Sequence, residues 1–590
     1  MLKHTLARFF QNDLLFVLTI FLTIFIPLYP KLPLADIIPG YIVRVRLEDI
    51  FVAITCLVWL IAAIRQKIKW KTPLNAFIFS YAFVGLMSSI SAVIFTHTVP
   101  AETLHVGKTL LHYFRYMEYF SLFFLTVASL NSYRRVKIAL VALCITVLGV
   151  SAYGFGQRYY YWPVYSTMNR EFSKGMRLYL TEHARVQSTF GGHYDLGGYL
   201  VIVLPILFAL FLLVKKKSFK IALAITYTAG VWALMQSASR SSVLGFVVAS
   251  GAVILVRNIF QPTWLKKITL TLTHSFFLGI FLWFMMAQFG KDLYDRIVQG
   301  LQAFPVVYTV YMDTTKKTDE LLANVKNEYL EKMYTSLFVK EVPADAIPAD
   351  AVEVLVASDT RPTPVEEGVD PAVNPNGAVD PSQRPKDVFV DVPDIKYVAT
   401  TSAEGITTME KVEQPRVFSQ TAIDKGLSLA IRYETLWPRA MQGFYTNPLL
   451  GSGYATLTKE TAGQFTEAES TDNNFLRTLG ETGGLGFLAF YGTIAMAGYL
   501  SIRLLFKKDV SALAFMFAVG FVGGTTGLLV NAFYIDVFAA SKVAYTYWIV
   551  VGILTALYTL EFTKPPAPDT FTHLPAARTS SKKKKTKKKS

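Results

Sequence analysis

The sequence predicts an all-α membrane protein of about twelve transmembrane helices, with one large extracytoplasmic loop before the last three spans. Three observations carry this reading. The 590 residues are 52% hydrophobic and only 17% charged, which is too apolar for a soluble chain of this length. Apolar runs recur along the chain, each close to the ~20 residues that cross a hydrocarbon core as a helix. The short loops between them alternate between strongly basic and weakly basic.

The first run, 14–29, follows Lys3 and Arg8 and so looks like a signal peptide. It lacks a small-residue cleavage site and many spans come after it, so an uncleaved signal anchor is the better reading. Runs at 48–64, 74–95, 109–130, 136–156, 194–214, 219–236, 241–256 and 268–289 complete a first group of spans within residues 1–289. Residues 290–481 then form the extracytoplasmic loop, 482–505, 511–533 and 541–560 close the membrane part within 482–560, and 561–590 is a lysine-rich tail. Cys56 and Cys144 both fall inside apolar runs. They belong to no disulfide framework or metal-ligand pattern and read as small apolar residues.

Orientation follows from the Lys/Arg bias of the short loops. The basic loops are "RQKIKWK" at 65–71, "RRVK" at 134–137, "KKKSFK" at 215–220, Arg257 with Lys266 and Lys267, and Arg503 with Lys507 and Lys508. They alternate in phase with the spans and belong with both termini, which are therefore expected in the cytoplasm. The net charge of +16 is then largely a matter of topology. The tail "KKKKTKKKS" is either a solvated segment that helps fix orientation or a contact for anionic lipid. It has no interleaved aromatic residues and no accompanying nucleic-acid fold, so no nucleic-acid partner is expected.

Within the outer loop, the stretch from about Val342 to Gln414 is rich in Pro, Ala, Val, Asp and Glu, with little helical or strand periodicity. Such composition reads as a flexible insert. Order is expected to resume near Gly426, where "LSLAIRYETLWPRAMQGF" has apolar residues at helical spacing.

Positive charges placed outside, against the topology rule, are more informative than those inside. They are Arg44, Arg46, a group running from Arg158 to Arg185, Arg240, Arg432 and Arg439. Arg240 lies in "MQSASRSSVLGF", a turn of a few small polar residues between two apolar spans. Arg185 occupies the corresponding place before the span at 194, and Arg432 begins the helix that leads back to the membrane. Guanidinium groups are permanently charged planar forks that match phosphate oxygens. Snorkelling to lipid headgroups is the simpler account of any one of them, whereas three at one face point to an anion site.

Elsewhere, His112, Arg115 and Glu118 recur at three-residue spacing and share a helix face, where Arg and Glu can pair. Glu48 and Asp49 in "RVRLEDIF" stand at a helix start, where acids suit the dipole. No His-x-x-His or Cys-x-x-Cys occurs, and the outer acids sit mostly in the insert, so no metal site is expected. No Walker loop or Gly-x-Gly-x-x-Gly turn suggests a nucleotide, and no cofactor is expected.

Three stretches together resemble the O-antigen ligase and O-antigen polymerase superfamily of bacterial membrane glycosyltransferases. "RVQSTFGGHYDLGGYL" resembles the family's Arg-x-x-(Gly/Ser)-Thr-Phe turn before a helix, and "SASRSSVLGF" its Ser-Arg-small motif. "RYETLWPRAMQGFYTNPLLGSGY" followed by "DNNFLRTLGETGGLGF" resembles its Arg…Trp…Pro-Leu-x-Gly-x-Gly and His-Asn-x-x-Leu…Glu-x-Gly-x-x-Gly. The resemblance spans roughly residues 185–500 in order. It implies transfer of a glycan from a polyprenyl-pyrophosphate donor to a hydroxyl on a glycan, lipid or protein acceptor. The reaction would run at the outer face of the bacterial cytoplasmic membrane without metal or nucleotide. Arg185, Arg240 and Arg432 would then bind the donor pyrophosphate, with Asp195, Asn473 and Glu481 in support.

Two departures from the family pattern bear on the base. Asp472 stands where the family has the His of His-Asn, and Asp195 stands where it often has Asn, with His193 two residues earlier. Asp472 or His193 is therefore the candidate catalytic base. Asp472 as a plain helix cap is the competing reading. A non-enzymatic flippase for lipid-linked oligosaccharide, or a polysaccharide exporter, is the alternative function. It predicts cations along a cavity through many spans rather than gathered at one face.

Overall fold

The computed structural model describes residues 13–38, 43–65, 71–168, 172–181, 184–294, 418–457 and 470–563, the isolated residues 297, 309 and 313, and the backbone of 394–401 and 407–414. The lysine tail, Lys3 and Arg8, and most of the predicted insert lie outside the described residues. The part of that insert that is described is a two-stranded antiparallel hairpin, β3 (Asp394–Thr401) with β4 (Thr407–Gln414), so its C-terminal end is strand and the expectation of irregular chain does not hold there. A second, shorter hairpin pairs β1 (Pro33–Asp36) with β2 (Arg44–Arg46), closed by Arg44 Nη1 to Asp36 Oδ1 at 3.3 Å.

Most of the other described residues are helical. In chain order the long helices are α1 (Leu14–Leu28), α2 (Leu47–Ile64), α3 (Asn75–Ile94), α4 (Thr103–Ser129), α5 (Tyr133–Tyr159), α6 (His193–Leu213), α7 (Lys217–Gln236), α8 (Arg240–Ile259) and α9 (Trp264–Phe289). After short helices α10 (Gln420–Lys425), α11 (Leu427–Ile431) and α12 (Trp437–Thr446) come α13 (Asn474–Leu505), α14 (Ala512–Ala532) and α15 (Ser541–Thr563). Each of the twelve predicted apolar runs falls on one of the long helices. Ten of these, among the described residues, are long and apolar enough to cross a membrane. Of the other two, α1 is only 15 residues long, and α4 carries Lys108, Arg115 and Glu118.

Several buried threonine hydroxyls bond back to their own helix, which suits an apolar surrounding. Thr19 Oγ1 donates to the Leu15 carbonyl at 2.7 Å, Thr126 to Leu122 at 2.6 Å and Thr555 to Val551 at 2.9 Å. The most enclosed helices are α15 and α6, with 89% and 83% of their apolar windows buried, whereas only 6% of α9 is, so α9 is peripheral. Its outward residues, including Leu272, Phe276 and Phe277, are large and apolar, consistent with a lipid bilayer around the bundle. Small residues let the central helices meet closely: a Cβ on Gly245 of α8 would stand 2.6 Å from the Gly527 carbonyl oxygen of α14.

Two charged features read from the sequence take definite form. Arg115 Nη1 pairs with Glu118 Oε2 at 2.8 Å, as the spacing suggested, and also with Asp49 Oδ1 at 2.6 Å. Asp49 Oδ2 in turn accepts from the Arg46 amide at 2.9 Å, closing the start of α2. The helix predicted from 482 begins at Asn474 instead, because its first two turns are polar and escape an apolar window, so 474–481 belong to α13 rather than to the outer loop.

Candidate functional site

The turn ahead of α6 is held from several sides. Ser188, at a left-handed φ of 54°, donates its amide to Gln157 Oε1 (2.8 Å) and its hydroxyl to the Val150 carbonyl (2.7 Å). Thr189 Oγ1 donates to the Pro27 carbonyl at 2.5 Å. Upstream, the Val186 amide donates to the Gln236 carbonyl at 3.1 Å, which sets Arg185 beside the end of α7. Arg185 Nη1 meets His193 Nε2, and lies 3.3 Å from the Tyr194 hydroxyl. A guanidinium only donates, so in this contact Nε2 is the accepting nitrogen. In this geometry His193 orients Arg185, and the lone pair that a base needs is already engaged. Asp195, one turn into α6, lies within electrostatic reach of the buried Lys31, Lys542 and Arg46.

Arg240 is the first residue of α8 and is exposed. The turn before it has Ala238 at φ 46°, with buried Ser239 and Ser242 hydroxyls 2.8 Å apart and Asn531 Nδ2 donating to Ser242 Oγ at 3.1 Å. Gly197 of α6 packs on Ser242, where a Cβ would stand 2.6 Å from the Ser242 Cβ. The starts of α6 and α8, and hence Arg185 and Arg240, therefore share one end of the bundle.

Arg432 stands in a single π-helical turn, 432–436, between α11 and α12. Such turns re-aim side chains and recur at functional sites. Arg432 Nη1 donates to the Ser428 carbonyl (2.9 Å) and hydroxyl (2.7 Å), and Nη2 pairs with Asp472 Oδ2 at 2.9 Å. Asp472 adopts a left-handed φ of 51° and accepts from Ser470 Oγ at 2.8 Å. Burial and the nearby Asp536 charge push its carboxyl above the usual value, against the pull of Arg432 and Ser470. Asp472 is not the cap of α13. Asn473 is: its Oδ1 accepts from the amides of Phe475 and Leu476, both at 3.1 Å.

Glu481 and the glycine-rich stretches around it form a lock rather than a pocket. Gly483, at φ 64° and ψ −170°, breaks α13, and the amides of Gly484 and Leu485 donate to Pro448 and Leu449. The carbonyls of Gly480 and Glu481 accept from the amides of Ser452 and Gly453, and Ser88 Oγ donates to the Glu481 carbonyl at 2.8 Å. The Glu481 side chain accepts from the Ala455 amide at 3.1 Å and faces Arg477 Nε at 3.5 Å. "NPLLGSGY" and "GETGG" are thus two halves of one hydrogen-bonded unit, with the backbone groups freed by the kink repaired across it.

Two residues that sequence reasoning passed over reach this end of the bundle: Asp536, in the α14–α15 connection, binds the 470–473 turn, and Lys542, at the start of α15, binds the Thr189 carbonyl at 2.7 Å. The same sidedness rule that singled out the outer arginines applies to Lys31 and Lys542, so a signal was there. Among the described residues, no three His, Cys, Asp or Glu side chains are grouped to hold a metal. The chain matches no protein-family model and no curated protein.

Proposed function

We propose that this protein is an integral membrane glycosyltransferase of the O-antigen ligase and polymerase type. It would move a glycan from a polyprenyl-pyrophosphate donor to an acceptor hydroxyl. The observation that carries the reading is that the fold gathers Arg185, Arg240, and the Arg432–Asp472 pair at one end of an apolar bundle, although they are up to 287 residues apart in sequence. The ordered resemblance of residues 185–500 supports it.

In this reading, the acceptor oxygen attacks the anomeric carbon of the donor sugar while the carbon–oxygen bond to the pyrophosphate breaks. Asp472 takes the hydroxyl proton as general base. The bonding pair leaves on the pyrophosphate, whose charge the guanidinium groups of Arg185, Arg240 and Arg432 stabilise, the kind of term that is usually largest in catalysis. The left-handed Asp472 and the raised position of its carboxyl suit a base that is ionised yet basic. His193 serves by holding Arg185. The proposed setting is the bacterial cytoplasmic membrane, with both termini inside and 290–481 outside, where a lipid-linked donor presents its head group.

The test is direct. Purified protein in lipid, given a polyprenyl-pyrophosphate-linked oligosaccharide, an acceptor extract and a chelator, is expected to release polyprenyl pyrophosphate and form a glycosylated product. Movement of the donor between leaflets without bond cleavage would replace this reading with that of a flippase.

A further inference from the structure

The connection between α14 and α15 and the first turn of α15 belong to none of the motifs that suggested a function, yet together they touch both halves of the candidate site. Asp536 Oδ2 accepts from the Thr471 amide at 2.8 Å and Arg477 Nη1 at 2.9 Å and shares the Ser470 hydroxyl proton with Asp472 (Oγ at 3.0 Å), and Oδ1 accepts from the Asn473 amide at 3.1 Å. The Phe538 amide donates to Asn474 Oδ1 at 3.0 Å. At the start of α15, Lys31 Nζ donates to Ser541 Oγ at 2.7 Å. Lys542 Nζ donates to the carbonyls of Tyr29 (2.5 Å), Thr189 (2.7 Å) and Pro27 (3.3 Å) and sits 5.0 Å over the Phe190 ring.

We propose that Asp536 and Lys542 are positioning residues that fix the two halves of the site to each other. Asp536 holds the 470–473 turn so that Asp472 meets Arg432, and Lys542 holds the turn that carries Arg185 and His193. This rests on the glycosyl-transfer reading for its catalytic meaning, but its geometry stands apart from it. A carboxylate that collects two consecutive-turn amides, a hydroxyl and a guanidinium leaves that turn little freedom, since charge-assisted bonds are the strong ones. An ammonium donating to three carbonyls is fully used and has no proton left for a ligand, which makes Lys542 a fastener rather than a donor-binding cation. Both are more than 90% enclosed, where an unmatched charge is costly. Asp536 has a second effect. Asp472 faces Arg432 from the segment before α12, Ser470 from its own turn, Arg477 from α13 only through Asp536, and Asp536 itself. As the one negative charge in that set, Asp536 opposes ionisation of Asp472.

The experiment uses the full-length protein in lipid nanodiscs, with amide hydrogen exchange read at 188–192 and 470–476, and transfer from a polyprenyl-pyrophosphate donor followed across pH. Asp536→Asn is expected to speed exchange at 470–476 and not at 188–192. It should lower kcat by about a hundredfold, the scale of an ångström-sized misplacement, with donor KM little changed. It should also move the acid limb of the rate profile to lower pH. Lys542→Met is expected to loosen 188–192 and raise donor KM, with Lys542→Arg restoring part of both. Unchanged exchange at 470–476 in Asp536→Asn and Asp536→Ala overturns the proposal, as does loosened exchange with kcat and the acid limb unmoved. If the wild-type protein transfers nothing while the two variants still loosen their separate turns, the tether stands and the glycosyl-transfer reading falls. Should Asp536→Ala fail to insert, Asp536→Asn keeps the side-chain shape and carries the test.

Discussion

Arg432 and Asp472, drawn from the sequence as a donor ligand and a base, form a single ion pair with 2.9 Å between Nη2 and Oδ2. The two roles are therefore linked. Pyrophosphate arriving at Arg432 would compete with Asp472 for the same guanidinium edge, and a guanidinium has five donors with which to hold both. The pairing is also what a simple helix cap would lack, since capping of α13 falls to Asn473.

That division of labour separates two neighbouring substitutions. Asp472→Asn is expected to lower transfer by roughly a hundredfold or more, the typical worth of a general base, with the thermal midpoint almost unchanged. Asn473→Ala is expected to do the reverse, costing about 1 kcal/mol of stability for the lost cap. Thermal unfolding in detergent and initial transfer rates on both variants check this. Equal rates in Asp472→Asn and the wild type would remove Asp472 from the chemistry.

Activity should fall on the acid side with a midpoint above the ordinary aspartate value of 3.8, because burial and Asp536 raise the Asp472 carboxyl. A carboxyl that is raised in the folded state binds protons more tightly there than in the unfolded chain. Its contribution to stability is thus present at low pH and is lost as pH rises from 3.8 through the raised value. The difference in stability between wild type and Asp472→Asn, measured from pH 3 to 8, should show that loss. A flat difference would mean the folded state leaves the carboxyl unperturbed.

Gly483 offers a test of the kink. Its φ of 64° and ψ of −170° lie in a region essentially reserved for glycine. A Cβ there would also meet the Leu449 carbonyl, and would stand 2.5 Å from the Leu450 nitrogen. Gly483→Ala is expected to destabilise the protein by several kcal/mol through both effects. Gly498, on the same helix with open space around its Cβ position, should accept Ala without loss. Comparable melting of the two variants would show that the kink is not required.

How much of this is legible in the sequence depends on the range of the interaction. All twelve long helices are, because span length and hydropathy are local properties. The start of α13 is not, because Arg477 and Glu481 sit in its first turns and are paid for by Asp536 and the Ala455 amide rather than by hydropathy. The Arg115–Glu118 pair is visible at three-residue spacing, whereas Asp49, 66 residues away, is not. Lys31 and Lys542 bind partners 510 and 515 residues distant, so no window along the chain shows what they hold. The outer arginines are found by sidedness alone, but their partners His193 and Asp472 come from the fold.

Topology is tested by labelling. If both termini are inside and the loop before α13 is outside, a membrane-impermeant thiol reagent applied to intact cells should modify a cysteine placed at Ala378 and not one placed at Thr586. Cys56 and Cys144 are replaced first to give a silent background. The opposite pattern would turn the arginine-bearing end of the bundle toward the cytoplasm and with it the proposed donor.

Arg240 is the sharpest test of the anion site, because stability and function separate there. It is exposed at the first position of α8, so replacing it should leave the stability within about 0.5 kcal/mol of wild type. A cation at a helix N-terminus is also unfavourable toward the dipole, so its presence there is not explained by helix stability. In the proposed reaction it meets charge that develops on the leaving pyrophosphate, an interaction stronger in the transition state than in the ground state. Arg240→Ala should therefore lower kcat by about a hundredfold or more, and Arg240→Lys should recover only part of it, since lysine keeps the charge and loses the planar fork. The measurement is single-turnover release of polyprenyl pyrophosphate by nanodisc-embedded variants at saturating donor. Wild-type release by Arg240→Ala would show that this arginine serves the lipid headgroups instead, and the anion site would have to be rebuilt around Arg185 and Arg432.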